Sequence, residues 1–156
     1  MKNLLILFTL LFLLGSCAAQ SSYGNLITQK NGKVGIGTTN PDETLTVKGK
    51  IHTQEVIVDL KGAVAPDYVF EEYTKGSSTL NPDYSRLSLL KLEAYVKKHN
   101  HLPKIPSAKE LDKNGLSLKE MNLLLLEKIE ELTLYTIEQQ KELEVLKEKI
   151  SKLENE

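Results

Sequence analysis

A chain of 156 residues, 40% apolar and 26% charged, has globular composition and room for one modest domain plus an extended element, which excludes a large enzyme. A formal net charge of −1 gives no electrostatic basis for binding nucleic acid or an acidic membrane surface. Charged runs at 127–131 and 142–149 mix both signs and read as solvated helix faces.

At the N-terminus, Met1 and Lys2 precede an apolar run over 4–14 and the small residues Gly15, Ser16, Cys17, Ala18 and Ala19. This is the pattern of a secretory leader over 1–19. The run falls short of the roughly 20 residues that span a bilayer, so a retained transmembrane anchor is not expected. Two processing routes stay open. The segment 14–17, Leu-Gly-Ser-Cys, has the form of a bacterial lipobox, which makes Cys17 a lipid-modified first residue. Cys17-Ala18-Ala19 equally suits ordinary cleavage before Gln20. Acyl chains on one terminus hold a protein stably, at about 0.8 kcal/mol per buried CH₂, so the first route ends at the outer membrane or cell surface and the second in secretion. Cys17 is the single cysteine, and no intramolecular disulfide can form.

Residues 20–60 read as a β-rich segment. Short β-type runs at 26–28 and 34–37 flank Asn31-Gly32, the strongest short hairpin signal. A turn at 39–42 contains Pro41, and further runs are expected at 45–47 and 51–58. One copy of such short strands cannot enclose a core, so interchain pairing is the economical solution and the chain is expected to take its shape on assembly.

Residues 61–116 read as a small α+β and loop segment. A short extended element is expected at 67–70 and a loop over 76–83. Ser88 caps a helix to about His99 with Leu89, Leu92, Tyr95 and Val96 on one face. Two prolines keep 99–106 out of helix. Ser107 and Glu110 form a capping box for a short helix closed by Asn114-Gly115. Ser117 and Glu120 form a second, with Leu116 and Met121 as hydrophobic staple, opening a helix to the C-terminus on the order of 55 Å long.

The segment 117–156 carries the most informative pattern. Apolar positions recur with 4-3 spacing: Ile129, Thr136, Leu143 and Ile150 at a, and Leu118, Leu125, Leu132, Gln139, Leu146 and Leu153 at d. Such a seam predicts a coiled coil between copies of the chain. In a parallel arrangement Glu142 faces Lys147 and Lys149 faces Glu154, both attractive pairs. Ile at a with Leu at d favours two strands by simple packing rules, and the polar layer Thr136 and Gln139 acts as a register device. Leu123, Leu124, Leu126, Leu134, Tyr135 and Ile137 lie outside the seam, so the first half of the helix is expected to pack against further chains or the preceding short helices.

No catalytic constellation stands out. Ser88-Leu-Leu-Lys91 matches S-x-x-K without its companion motifs, and a helix cap accounts for Ser88. Gly35-x-Gly37 lacks the third glycine and the helix of a dinucleotide loop. His52, His99 and His101 have no nearby carboxylate or cysteine partner, and Glu71-Glu72 lacks a cleft, so no metal site, cofactor or acid pair is assigned.

The segments Val34-Gly-Ile-Gly-Thr-Thr-Asn-Pro41 and Leu45-Thr-Val-Lys-Gly49 resemble the repeat of tail-fibre-like surface proteins of Bacteroidetes-type bacteria. Pro66-Asp-Tyr-Val-Phe70, Leu87-Ser-Leu89, His101-Leu-Pro103, Ile105-Pro-Ser-Ala108, Asn114-Gly115, Glu120-Met-Asn122 and 128–135 resemble that family's C-terminal module, in the same order. The resemblance implies a fibre tip or stem, homotrimeric by analogy with phage tail fibres, at the cell surface. The signature of the self-cleaving fibre chaperones is absent, and no catalytic residue is carried over.

The expected fold is therefore mixed α and β and elongated: a short β stem, a small helical linker and a long C-terminal parallel coiled-coil helix. The expected function is a non-enzymatic structural or adhesive module, a homo-oligomer with a trimer favoured over a dimer. An envelope protein or a surface glycan is the further partner considered. The alternatives are an accessory subunit of an outer-envelope complex, bound through the apolar helix, and a self-cleaving fibre chaperone.

Overall fold

The computed structural model describes residues 26–155, so the leader and Cys17 lie outside the described residues. The chain is mixed α and β and divides between Val56 and Ile57 into two compact units.

The first unit is a three-stranded sheet of β1 (Ile27–Lys30), β2 (Lys33–Ile36) and β3 (Leu45–Val47). Asn31 and Gly32 both take positive φ, 52° and 75°, as a two-residue turn of the I′ type demands. They set Lys30 opposite Lys33 and Ile27 opposite Ile36. β3 then pairs parallel to β2, Val34 with Leu45 and Ile36 with Val47. Parallel neighbours ordinarily need a crossover of a dozen or more residues. Here the chain returns within 37–44, because the strands are so short and because Gly37, at φ 70°, turns it back at once. The loop is pinned from inside. The buried Thr46 hydroxyl donates to the Asp42 carboxylate at 2.7 Å and accepts from the backbone N–H groups of Asp42 and Glu43. At Gly35 a β-carbon would stand 2.5 Å from the Thr38 carbonyl oxygen, so this turn excludes any side chain there.

No strand forms over 51–58, which corrects the expected fourth run. A period-2 pattern specifies a face, not a partner. The Val56 N–H donates to the neighbouring Glu55 carboxylate, and Ile51, Val56 and Ile57 are exposed. Leu26, Ile27 and Leu45 are exposed as well, so the described residues of this unit enclose no apolar core of their own.

The second unit holds α1 (Tyr68–Lys75), α2 (Leu89–His99), α3 (Ala108–Asn114) and α4 (Leu118–Glu154). The expected extended element at 67–70 is instead the first turn of α1. Tyr68, Val69 and Phe70 carry strand propensity, but Val69 and Tyr68 bury against α4, and packing overrides propensity. Glu71 completes the element: it pairs with Lys75 one turn on and accepts from the Ser78 hydroxyl and the Thr79 N–H, which folds the 76–83 loop back. These contacts, Ser78 foremost and then Lys75, hold its carboxyl down at about 2.

The local helix signals appear as read. Ser88 accepts from the Lys91 N–H, Ser107 and Glu110 form a full capping box, and Ser117 accepts from the Glu120 N–H. Segment 100–107 is irregular between α2 and α3. The core of this unit is small: Tyr68, Val69, Tyr84 and Leu134. Its members all come from one chain.

Candidate assembly site

Helix α4 presents two different faces. One bears Glu127, Glu130, Glu131, Leu134, Tyr135 and Glu138, spaced to lie along one side of a helix, and it packs against residues from 66 to 104. The other bears the heptad seam.

The first face overturns the reading of 127–131 as solvated charge. Glu127 is 1% exposed, and Glu130 and Glu131 are likewise buried. Each of Glu127 and Glu131 has donors to meet it. Glu127 accepts from the Tyr68 hydroxyl, from Lys104 at 2.8 Å and from Lys128 at 2.9 Å. Glu131 accepts from the Tyr84 hydroxyl at 3.1 Å and from Lys128 at 2.9 Å. Arg86 forks onto both carboxylate oxygens of Glu138 and lies over the Tyr135 ring, 4.7 Å from its centroid. The Tyr135 hydroxyl donates to the Leu87 carbonyl at 2.5 Å.

Electrostatics follow from this geometry. Burial pushes the Glu127 carboxyl up, but Lys104, Lys128 and Tyr68 outweigh it and leave the group below the usual carboxylate range. Burial likewise opposes the Lys128 charge, and Glu127 and Glu131 overcome that, raising it. The Tyr68 and Tyr84 phenols are pushed well up, by burial first and then by the carboxylates they face. Glu130 differs. Its buried Oε2 has no hydrogen-bond partner among the described residues, and burial, then the charges of Asp67 and Glu127, raise its carboxyl above the ordinary value.

An acid raised in the folded state favours folding while protonated and opposes it once ionised. Glu130→Gln is therefore expected to stabilise the chain at pH 7, on the order of 1 kcal/mol. The gain should vanish as acidification protonates Glu130 in the parent. Thermal melts at pH 7 and pH 4 check both halves.

The second face is open. Leu118, Leu125, Ile129, Leu132, Thr136, Gln139, Leu143, Leu146, Ile150 and Leu153 are all exposed on α4, Leu132 at 64%. The chain thus docks α4 through residues outside the a and d positions and leaves those positions uncovered. Of the apolar residues off the seam, Leu134 and Tyr135 are buried against the preceding segment and Leu123 and Leu124 half-buried, while Leu126 and Ile137 stay exposed. On α2, Leu92 and Tyr95 are half-buried and Leu89 and Val96 exposed.

The other residues weighed for chemistry have local roles. Ser88 serves as the cap of α2, and Glu71 is occupied by Lys75 and the 76–83 loop. Tyr95 and His99 stack at 4.3 Å with His101 edge-on, while His52 belongs to the other unit. Among the described residues no group of three or more His, Cys, Asp or Glu side chains is placed to hold a metal ion, and no helix is long and apolar enough to cross a membrane. No protein-family model, curated protein or solved structure matches the chain.

The carboxylates and tyrosines that dock α4 escaped the sequence reading. Their signal was present: Glu127, Glu131, Leu134 and Glu138 recur at helical spacing on the side away from the seam. An acidic stripe interrupted by a leucine, in a chain with Tyr68, Tyr84 and Arg86 upstream, is a docking pattern for donors.

Proposed function

We propose that the chain is a non-enzymatic structural or adhesive surface module that assembles as a parallel homotrimer through α4. The single observation carrying this reading is the seam from Leu118 to Leu153, apolar except for Asn122 and the Thr136 and Gln139 layer, and exposed along a helix whose other side is already docked on its own chain. A contiguous apolar stripe of this length calls for a partner helix. A second copy supplies one with matching spacing and with attractive flanks, Glu142 against Lys147 and Lys149 against Glu154. Export through the 1–19 leader, with Cys17 as lipid anchor, puts the assembly at the outer membrane or cell surface. The likeness of 34–49 and 66–135 to tail-fibre-like proteins supports a fibre tip or stem and three strands in place of two.

Sedimentation equilibrium of the full chain in density-matched detergent tests this reading. The expected mass is three times that of one chain at micromolar concentration. A single-chain mass throughout that range overturns the proposal, and a stoichiometric complex with a different envelope protein replaces it with the accessory-subunit reading.

A further inference from the structure

We infer that the interface between copies is wider than the α4 seam: each copy receives its neighbour's α4 in a groove between α2 and α4. This rests on the homo-oligomeric reading above and names the surface that completes it. The groove, about 320 Å³, is walled by Leu89 and Leu92 of α2, Leu102 of the following loop, and Leu125, Ile129 and Leu132 of the seam. Four of these six, Leu89, Leu125, Ile129 and Leu132, are at least 45% exposed, on a chain whose own core buries only a few side chains.

Three observations identify the occupant as a second copy. The seam residues that would meet the neighbour form one wall of the groove, so a helix packed on the seam enters it. The charged groups at the groove are already satisfied, because Lys128 is paired with Glu127 and Glu131, and the Tyr135 hydroxyl donates to the Leu87 carbonyl, so Gln139 is the one polar lining side chain left, too few to orient a small ligand. Finally, the flanking positions change character along the helix. Below the polar layer the facing g and e residues are charged, Glu142 with Lys147 and Lys149 with Glu154. Above it they are Met121 with Leu126, Lys128 with Thr133 and Tyr135 with Gln140, so the incoming helix brings no unpaired charge beside the groove. Flanks of that kind suit a helix covered on more than its a and d edge, as a neighbour lying between α4 and α2 is. In register, the segment 125–139 of one copy meets Leu89 and Leu92 of the next.

A benzophenone amino acid placed at position 89 of the full chain, and separately at position 143, tests this on irradiation. The expected result is covalent dimers on denaturing gels from both sites, with adducts from position 89 mapping to 125–139 of the second copy. Dimers from position 143 with none from position 89 overturn the groove and leave the seam intact. Dimers from neither overturn the assembly reading itself. As a second measurement, Leu89→Asp is expected to weaken association at least tenfold with the helical signal retained, and an unchanged association constant overturns the inference.

Discussion

Leu143→Asp is expected to convert the assembly into single chains at micromolar concentration while the helical unit stays folded. Leu143 is exposed in the isolated chain and lies outside the core of Tyr68, Val69, Tyr84 and Leu134, so the folded chain is expected to lose little. In a coiled coil the same side chain fills a hole on each neighbour, and losing a packed leucine costs roughly 2–5 kcal/mol per chain. The aspartate adds more, because its charge sits in an apolar layer of the seam. Sedimentation equilibrium should report one-chain mass, with near-ultraviolet tyrosine dichroism preserved. A mass unchanged from the parent would show that the a and d frame is wrong.

Glu127→Ala should do the converse and strike the chain before it assembles. The substitution strands the Tyr68 hydroxyl and Lys104, and leaves Lys128 with Glu131 alone. Lys128 keeps Glu131 and Lys104 is half-exposed, so the cost is mainly that of the stranded buried donor, about 1–3 kcal/mol, against total stabilities of about 5–15 kcal/mol for a small domain. The variant is therefore expected to be measurably less stable than the parent at 25 °C. Glu127→Gln keeps an acceptor for Tyr68 and should lose less.

The pH dependence provides an independent sign. Glu127 has a folded-state carboxyl below its unfolded value, so its contribution is complete above the unfolded value, near pH 4.3, and is lost as pH falls through the folded one. Lys128 is raised, so its contribution is complete below the unfolded value and lost only as strongly alkaline pH passes the folded one. Urea unfolding at pH 7 and pH 3 should show the parent losing stability on acidification and the alanine variant losing distinctly less. Equal losses would remove Glu127 from the account.

Comparing sequence and structure separates two kinds of information. Everything encoded within about four residues was legible: Asn31-Gly32 as a hairpin turn, Ser88, Ser107 and Ser117 as helix caps, Gly115 as a helix stop, and α4 as one long helix. Each of these is a local hydrogen bond or a local dihedral demand. The misreadings share the opposite property. Tyr68 and Glu127 are 59 residues apart, Tyr84 and Glu131 are 47 apart, and Arg86 and Glu138 are 52 apart. Buried acids are rare enough that a charged stripe is ordinarily solvated, and only the distant donors reverse that rule. The same distance explains α1. Its tyrosine, valine and phenylalanine argue for a strand locally, and only the surface of α4 makes burying Tyr68 and Val69 from a helix the better solution. The stretch 51–58 shows the complementary error, in which alternation exists without a strand to pair with.

Because α4 meets its own chain on one flank and presents the heptad leucines on another, collapse and the proposed oligomerisation would be separable kinetic events. The first is unimolecular and independent of dilution, closing on Leu134 and the tyrosines. The second, in the proposed assembly, would be a collision between prefolded subunits, at a rate set by their local concentration. Under that proposal a copy would fold before it meets another, and crowding of copies would set when zippering begins.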